Sequence, residues 1–145
     1  MGGNGTALAL NQYQNNTNAE GWRYGVRLGT DNKYVSMTDE SLNPDDDNIN
    51  GIENGFGDNL LVHSGTHFGE FQTGDDFAQF TVERYFESKG SVPIDVKEIG
   101  LFGNGNASTT MTPLLFARKA LDANDQFTIQ PGQTVKVGFL CKAFI

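Results

Sequence analysis

Between Trp22 and Leu28 the residue types alternate strictly, with Trp22, Tyr24, Val26 and Leu28 on one side and Arg23, Gly25 and Arg27 on the other. A period of two fits an extended chain with one face in a core. It does not fit a helix, in which the same face returns every three or four residues. The pattern recurs from Gln79 to Tyr85, where Phe80, Val82 and Arg84 oppose Gln79, Thr81, Glu83 and Tyr85, and again where Val135, Val137 and Phe139 share a face. These segments predict a half-buried strand over 22–28, a long central strand over 77–86 and a closing strand that can run on to Ile145.

Turn signals separate the apolar segments. Gly29-Thr30-Asp31-Asn32, Glu87 to Ser91, and Gly103-Asn104-Gly105-Asn106 carry residues that tolerate positive φ or bond their own backbone. Pro131-Gly132 marks a type II turn, and it is expected to fix the last hairpin. Ile94 to Phe102 reads as one strand. Leu114 to Ala120 reads as a strand buried on both faces, with helix as the competing assignment. About eight strands at regular spacing predict an all-β domain over 21–145, a β-sandwich of jelly-roll type. Residues 1–20 are polar apart from Thr6-Ala7-Leu8-Ala9-Leu10, and predict an extended N-terminal arm. Residues 38–59, with Asn43-Pro44, Asn50-Gly51 and Asn54-Gly55, form a connection long enough to suggest a contact loop.

Eleven of the sixteen aromatic residues are Phe, so the core can be filled with large rings that carry no polar atom. The net charge is -8 and the ten Lys and Arg residues are scattered, which argues against a surface that follows nucleic-acid phosphates. No stretch has the length and hydropathy of a membrane helix or a secretory leader, so the expectation is synthesis in a cytoplasm without membrane insertion. The single Cys141 allows no internal disulfide and reads as a buried apolar residue among Phe139, Leu140 and Phe144.

Candidate chemistry is thin. His63 and His67 have the i, i+4 spacing of a helical metal pair, but Gly65 and Gly69 oppose a helix and no third ligand is near. Asp45, Asp46 and Asp47 with Asn48, Asn50 and Glu53 have the composition of a calcium loop without its ordered spacing, and read as a solvated acidic loop. Ser64 follows His63 directly, and neighbours in a strand point to opposite faces, so the two do not form a nucleophile and its base. No catalytic, cofactor or metal residues are assigned. Glu98 and Arg118 lie in otherwise apolar segments, where an unpaired charge is expensive. The expectation is a structural ion pair among Glu98, Arg118 and Arg84. Gly100 is expected to admit a neighbouring strand or ring at close range.

The second half of the chain resembles a family of tailed-bacteriophage virion proteins. The likeness is carried by Phe80 to Phe86, by Glu98-Ile99-Gly100-Leu101, by Ala117-Arg118-Lys119-Ala120-Leu121, and by Pro131-Gly132-Gln133-Thr134-Val135-Lys136-Val137, in that order. It covers about residues 77 to 145, and more loosely 24 to 38. The resemblance implies a non-enzymatic structural role in the virion. The first expectation is a capsid decoration or cement protein that binds the major capsid protein or other virion proteins. It would be a homo-oligomer, with a trimer preferred, and Leu8, Leu10, Tyr13, Asp45, Asp46, Asp47 and Phe56 would be its contacts. The alternative is a tail fibre or receptor-binding module that presents loop aromatics such as Phe56 and Phe68 to a host ligand.

Overall fold

The computed structural model describes residues 21–30, 51–104 and 113–145. The longest strands are β5 (Phe77–Glu87) and β10 (Thr134–Phe144), which pair antiparallel along their whole length from Phe77↔Phe144 to Glu87↔Thr134. Both alternate as expected. Phe80, Val82, Arg84 and Phe86 face inward on β5, opposite Cys141, Phe139, Val137 and Val135 of β10. The other edge of β5 receives three two-residue strands, β2 (Val62–His63), β3 (His67–Phe68) and β4 (Gln72–Thr73). Gly65, Gly69 and Gly74 fall in the connections, and such residues keep each pairing short.

A second sheet is made by β1 (Gly25–Gly29), β7 (Glu98–Asn104) and β8 (Pro113–Ala120) in the order β1-β7-β8, all antiparallel. A small third sheet pairs β6 (Ile94–Val96) with β9 (Phe127–Ile129). Val26, Leu28 and Leu101 from the second sheet meet Val82, Phe86 and Val137 from the first, and Ile94, Val96 and Ile129 from the third join the same buried cluster. Apolar faces of antiparallel sheets closing on one core make an all-β sandwich.

Several expectations need correction. The segment 22–28 is not one strand, because Gly21–Arg23 forms a 3-10 turn and β1 begins at Gly25, whose φ of 85° breaks the extended run. Nor is β1 half-buried: every residue from Gly25 to Gly29 is enclosed, Arg27 included. The stretch 94–102 is two strands in two sheets. Lys97 turns the corner, donating its N–H to the Gly29 carbonyl and accepting the Leu121 N–H at its own. Strand β8 is not buried on both faces, since Phe116 is 40% exposed and Lys119 faces solvent.

Pro131-Gly132 makes the expected turn, with Gly132 at φ 80° and Gln133 N–H bonded to the Gln130 carbonyl at 3.0 Å. The flanking strands do not form a hairpin. β9 pairs with β6 while β10 pairs with β5, so this turn also joins two sheets. The arm 1–20 and most of the 38–59 loop lie outside the described residues.

The face of the second sheet that carries Arg27 has an alternating size pattern. Directly paired residues share a face, so one rung reads Arg27, Gly100, Arg118 and the rung two residues along reads Gly29, Glu98, Ala120. Long side chains thus alternate with Gly or Ala in both directions. Gly100 leaves room between two arginines, and a Cβ on Gly29 would collide with the Glu98 carboxylate. The Arg118 Nε donates to Glu98 Oε2 at 2.7 Å, with both side chains at or below 1% exposure. Glu98 and Arg118 are therefore the ion pair, and Arg84 is held differently.

Removing one partner of a buried pair leaves a charge in a dry site and costs about 3–5 kcal/mol, whereas removing both can be close to neutral. Arg118→Met alone is expected to lose that amount in urea unfolding, and Glu98→Leu with Arg118→Met to lie within about 2 kcal/mol of the parent protein. A double variant as unstable as the two single losses added together would show that the pair is not the coupled unit described.

Candidate interaction surface

The side chains with the most chemical potential are tied into the interior. Arg84 reaches from β5 toward β1 and donates from Nη1 to the carbonyls of Trp22 and Val26, each at 3.0 Å, and from Nη2 to Thr66 Oγ1 at 3.1 Å. Thr66 in turn fills the space over Gly25 where a Cβ would stand. Burial lowers the Arg84 guanidinium to about 10. Arg27 is 1% exposed and lies between two rings, 4.6 Å from the Trp22 centroid and 4.8 Å from that of Phe102. Its Nε has no acceptor among the described residues. Burial, with repulsion from Arg23 and Arg84 and a smaller opposing pull from Glu53, lowers it to about 9. Aromatic faces thus do for Arg27 what carbonyls do for Arg84.

His63 and His67 do not converge. His63 packs its ring 5.4 Å from Trp22 and 5.0 Å from Phe86, with Nδ1 2.9 Å from the Leu61 carbonyl and Nε2 enclosed without a partner among the described residues. His67 is exposed. Among the described residues no three His, Cys, Asp or Glu side chains are grouped to hold a metal ion. The Ser64 hydroxyl is engaged by backbone, accepting the Tyr85 N–H at 2.9 Å and donating to the Gly65 carbonyl at 2.9 Å. Cys141 is half-buried against the core, and desolvation pushes its thiol up, away from the reactive thiolate.

Ser64, Gly65, Thr66, His67, Glu83, Tyr85 and Lys136 line an open cleft of about 570 Å³. Its wall carries a Lys136–Glu83 contact at 3.8 Å, and Tyr85 is 52% exposed. The cleft can accept a polar ligand, but it presents no nucleophile poised beside a base.

What remains unsatisfied is apolar and outward. Phe56 is 77% exposed, Phe71 62%, Leu140 54%, Phe144 78% and Ile145 81%. Gly57, next to Phe56, packs against Gly90, which places Phe56 beside the Glu87 end of β5. At the other end, the Ile145 N–H bonds to the Asp76 carbonyl at 2.8 Å, and Lys142 Nζ lies 4.7 Å from the Phe77 ring and 5.0 Å from that of Phe144. Phe71 precedes β4, whose Gln72 pairs with Gln79, so it stands near the level of Phe80, in the Phe77 half of β5.

Of the contacts expected from sequence, Phe56 is exposed as a contact requires, whereas Leu8, Leu10, Tyr13, Asp45, Asp46 and Asp47 lie outside the described residues. Phe68 is not an exposed loop aromatic: it sits in β3, half-buried, with its ring 6.3 Å from Phe80. Phe71 and Ile145 were not expected as contacts, and Leu140 and Phe144, expected as apolar surroundings of a buried Cys141, are exposed, leaving Cys141 only half-buried. The available signal for Phe71 was one ring in the polar run Glu70 to Asp76. No described protein family, curated protein or solved structure matches this chain.

Burial, aided by repulsion from Arg84, lowers His63 to about 3 from an ordinary 6.5. Between these values the unfolded chain binds a proton that the folded chain refuses, so stability is lost as the pH falls from 6.5 toward 3. From pH 7 to pH 5 this one group is expected to remove about 2 kcal/mol. His63→Leu should flatten that part of the stability profile measured by urea unfolding. An unchanged slope would mean that the ring is not held neutral.

Proposed function

We propose that the chain is a non-enzymatic structural protein of a tailed-phage virion, a decoration or cement protein that bridges neighbouring subunits of the major capsid protein. The observation that carries this reading is the separation of exposed apolar side chains to the two ends of β5. Phe56 stands at one end, Phe144 and Ile145 at the other, with Phe71 in that second half. An 11-residue strand spans about 35 Å at its usual rise, so the two contacts can engage two different neighbours. Exposed aromatics of this kind serve as binding anchors.

The likeness of residues 77 to 145 to phage virion proteins supports the same reading. The acidic surface would face outward on the particle and limit non-specific association. The proposal keeps the segment 1–20, with Leu8, Leu10 and Tyr13, and Asp45 to Asp47 as further contacts on sequence grounds, and takes the sandwich as jelly-roll-like. A second reading, a tail-associated module for a host ligand, is favoured by the open cleft with Tyr85 on its wall, since an exposed ring beside polar groups suits a sugar.

Phe56→Ser and Phe71→Ser are each expected to weaken binding to particles lacking the protein by about tenfold or more, as loss of an aromatic anchor does. Unfolding temperature should not change, because both rings are already in solvent. Co-sedimentation with purified heads measures the loss, and a doubly substituted protein that sediments like the parent would remove the cement reading. Copy number separates the two readings: a decoration protein scales with the capsid subunits, whereas a tail module does not.

A further inference from the structure

Strand β10 pairs with β5 along one edge and, among the described residues, with nothing along the other. The Ile145 N–H bonds to Asp76 and the Gln133 carbonyl accepts the Ser88 N–H. Odd-numbered residues of β10 therefore direct their backbone groups at β5. The even-numbered ones, Thr134, Lys136, Gly138, Leu140, Lys142 and Phe144, direct theirs away from the sheet. The same six residues are on the solvent face, where Leu140 is 54% and Phe144 78% exposed. An open edge of 11 residues with apolar side chains along it is long compared with the short or covered edges that proteins usually keep.

We propose that a second copy of this chain covers that edge, β10 pairing antiparallel with β10 of the second copy about a two-fold axis at Leu140, to give one sheet continuous through both subunits. The side chains of the strand complement themselves in this register. With Leu140 opposite itself, Lys136 of each copy lies opposite Phe144 of the other, a cation beside a ring. Lys142 lies opposite Gly138. Because Gly138 has no side chain, the Lys142 ammonium of the second copy can pass over it to Glu83, which stands directly across from Gly138 on β5. On the inner face Phe139 meets Cys141, and Val137 meets Ala143.

The register shifted by one rung, with the axis at Phe139, sets Lys136 opposite Lys142 in both halves, and like charges directly opposite are destabilising. That neighbouring alignment is therefore disfavoured relative to the one with the axis at Leu140. A two-fold contact of this kind closes at two copies, in place of the trimer expected from the sequence. It does not depend on any role in a particle, so the dimer and the cement reading can fail separately.

Sedimentation equilibrium of the full chain is expected to give a mass of two chains, and Leu140→Lys a mass of one. Leu140 is already exposed, so the far-ultraviolet circular dichroism of Leu140→Lys should match the parent, and its unfolding temperature should match that of the parent diluted to the monomer. The register is read by cross-linking in a Cys141→Ser background. Leu140→Cys should oxidise to a covalent dimer, since paired residues of a hydrogen-bonded rung have Cα atoms about 5.5 Å apart, and Lys142→Cys should not. A monomer at every concentration, a trimer, a Leu140→Lys protein that still dimerises, or cross-linking at position 142 in place of 140 would each overturn the proposal.

Discussion

The Glu98–Arg118 pair sets conditions that the rest of the second sheet must meet. A carboxylate and a guanidinium can be enclosed only if they bond each other and if nothing bulky competes for the space above the sheet. Gly29, Gly100 and Ala120 supply that space, and the rungs they occupy leave Arg27, Glu98 and Arg118 as the long side chains on the face. The pair also sits where β7 begins, one residue after the Lys97 corner that carries the chain from the third sheet into the second. Its geometry therefore depends on the corner, and the corner on it.

Three of the four arginines are buried, and each is accommodated by a different means. Arg118 has a carboxylate, Arg84 has two carbonyls and a hydroxyl, and Arg27 has two aromatic faces. With these cations inside, the exposed surface is more acidic than the net charge suggests. The exposed apolar side chains along β10 stand between Lys136 and Lys142, basic residues on an otherwise acidic chain, and this contrast marks the strand as a place for specific contact rather than general adhesion.

Much of the fold was legible because period-two alternation reports directly on which face meets a core, and β5 and β10 follow it closely. What failed was any inference that needed a second layer. Gly25 and Arg27 have the residue types of a solvent face, yet they are enclosed, because the alternation of one strand cannot reveal whether something covers its polar side. The break at Lys97 was hidden for a similar reason. Val96 and Ile99 are both apolar, and only the pairing partners show that they belong to different sheets. The ion pair could be anticipated from the cost of charge in apolar segments, but whether Arg84 or Arg118 would meet Glu98 was decided by register. The exposed ring of Phe71 has no distinguishing local pattern beyond its polar neighbours.

The pairing of β5 with β10 has a consequence for synthesis. The two strands are separated by the whole of β6 to β9, and the register joins Phe77 to Phe144. During translation one edge of β5, with Phe80, Val82 and Phe86 on its apolar face, stays open until Thr134 to Phe144 have been made. Pairings this distant in sequence close slowly, and open strands are exposed to aggregation while they wait. For this chain the making of β10 is therefore also the step that ends the vulnerability, and a nascent chain that stops anywhere before β10 keeps β5 without its partner along that edge.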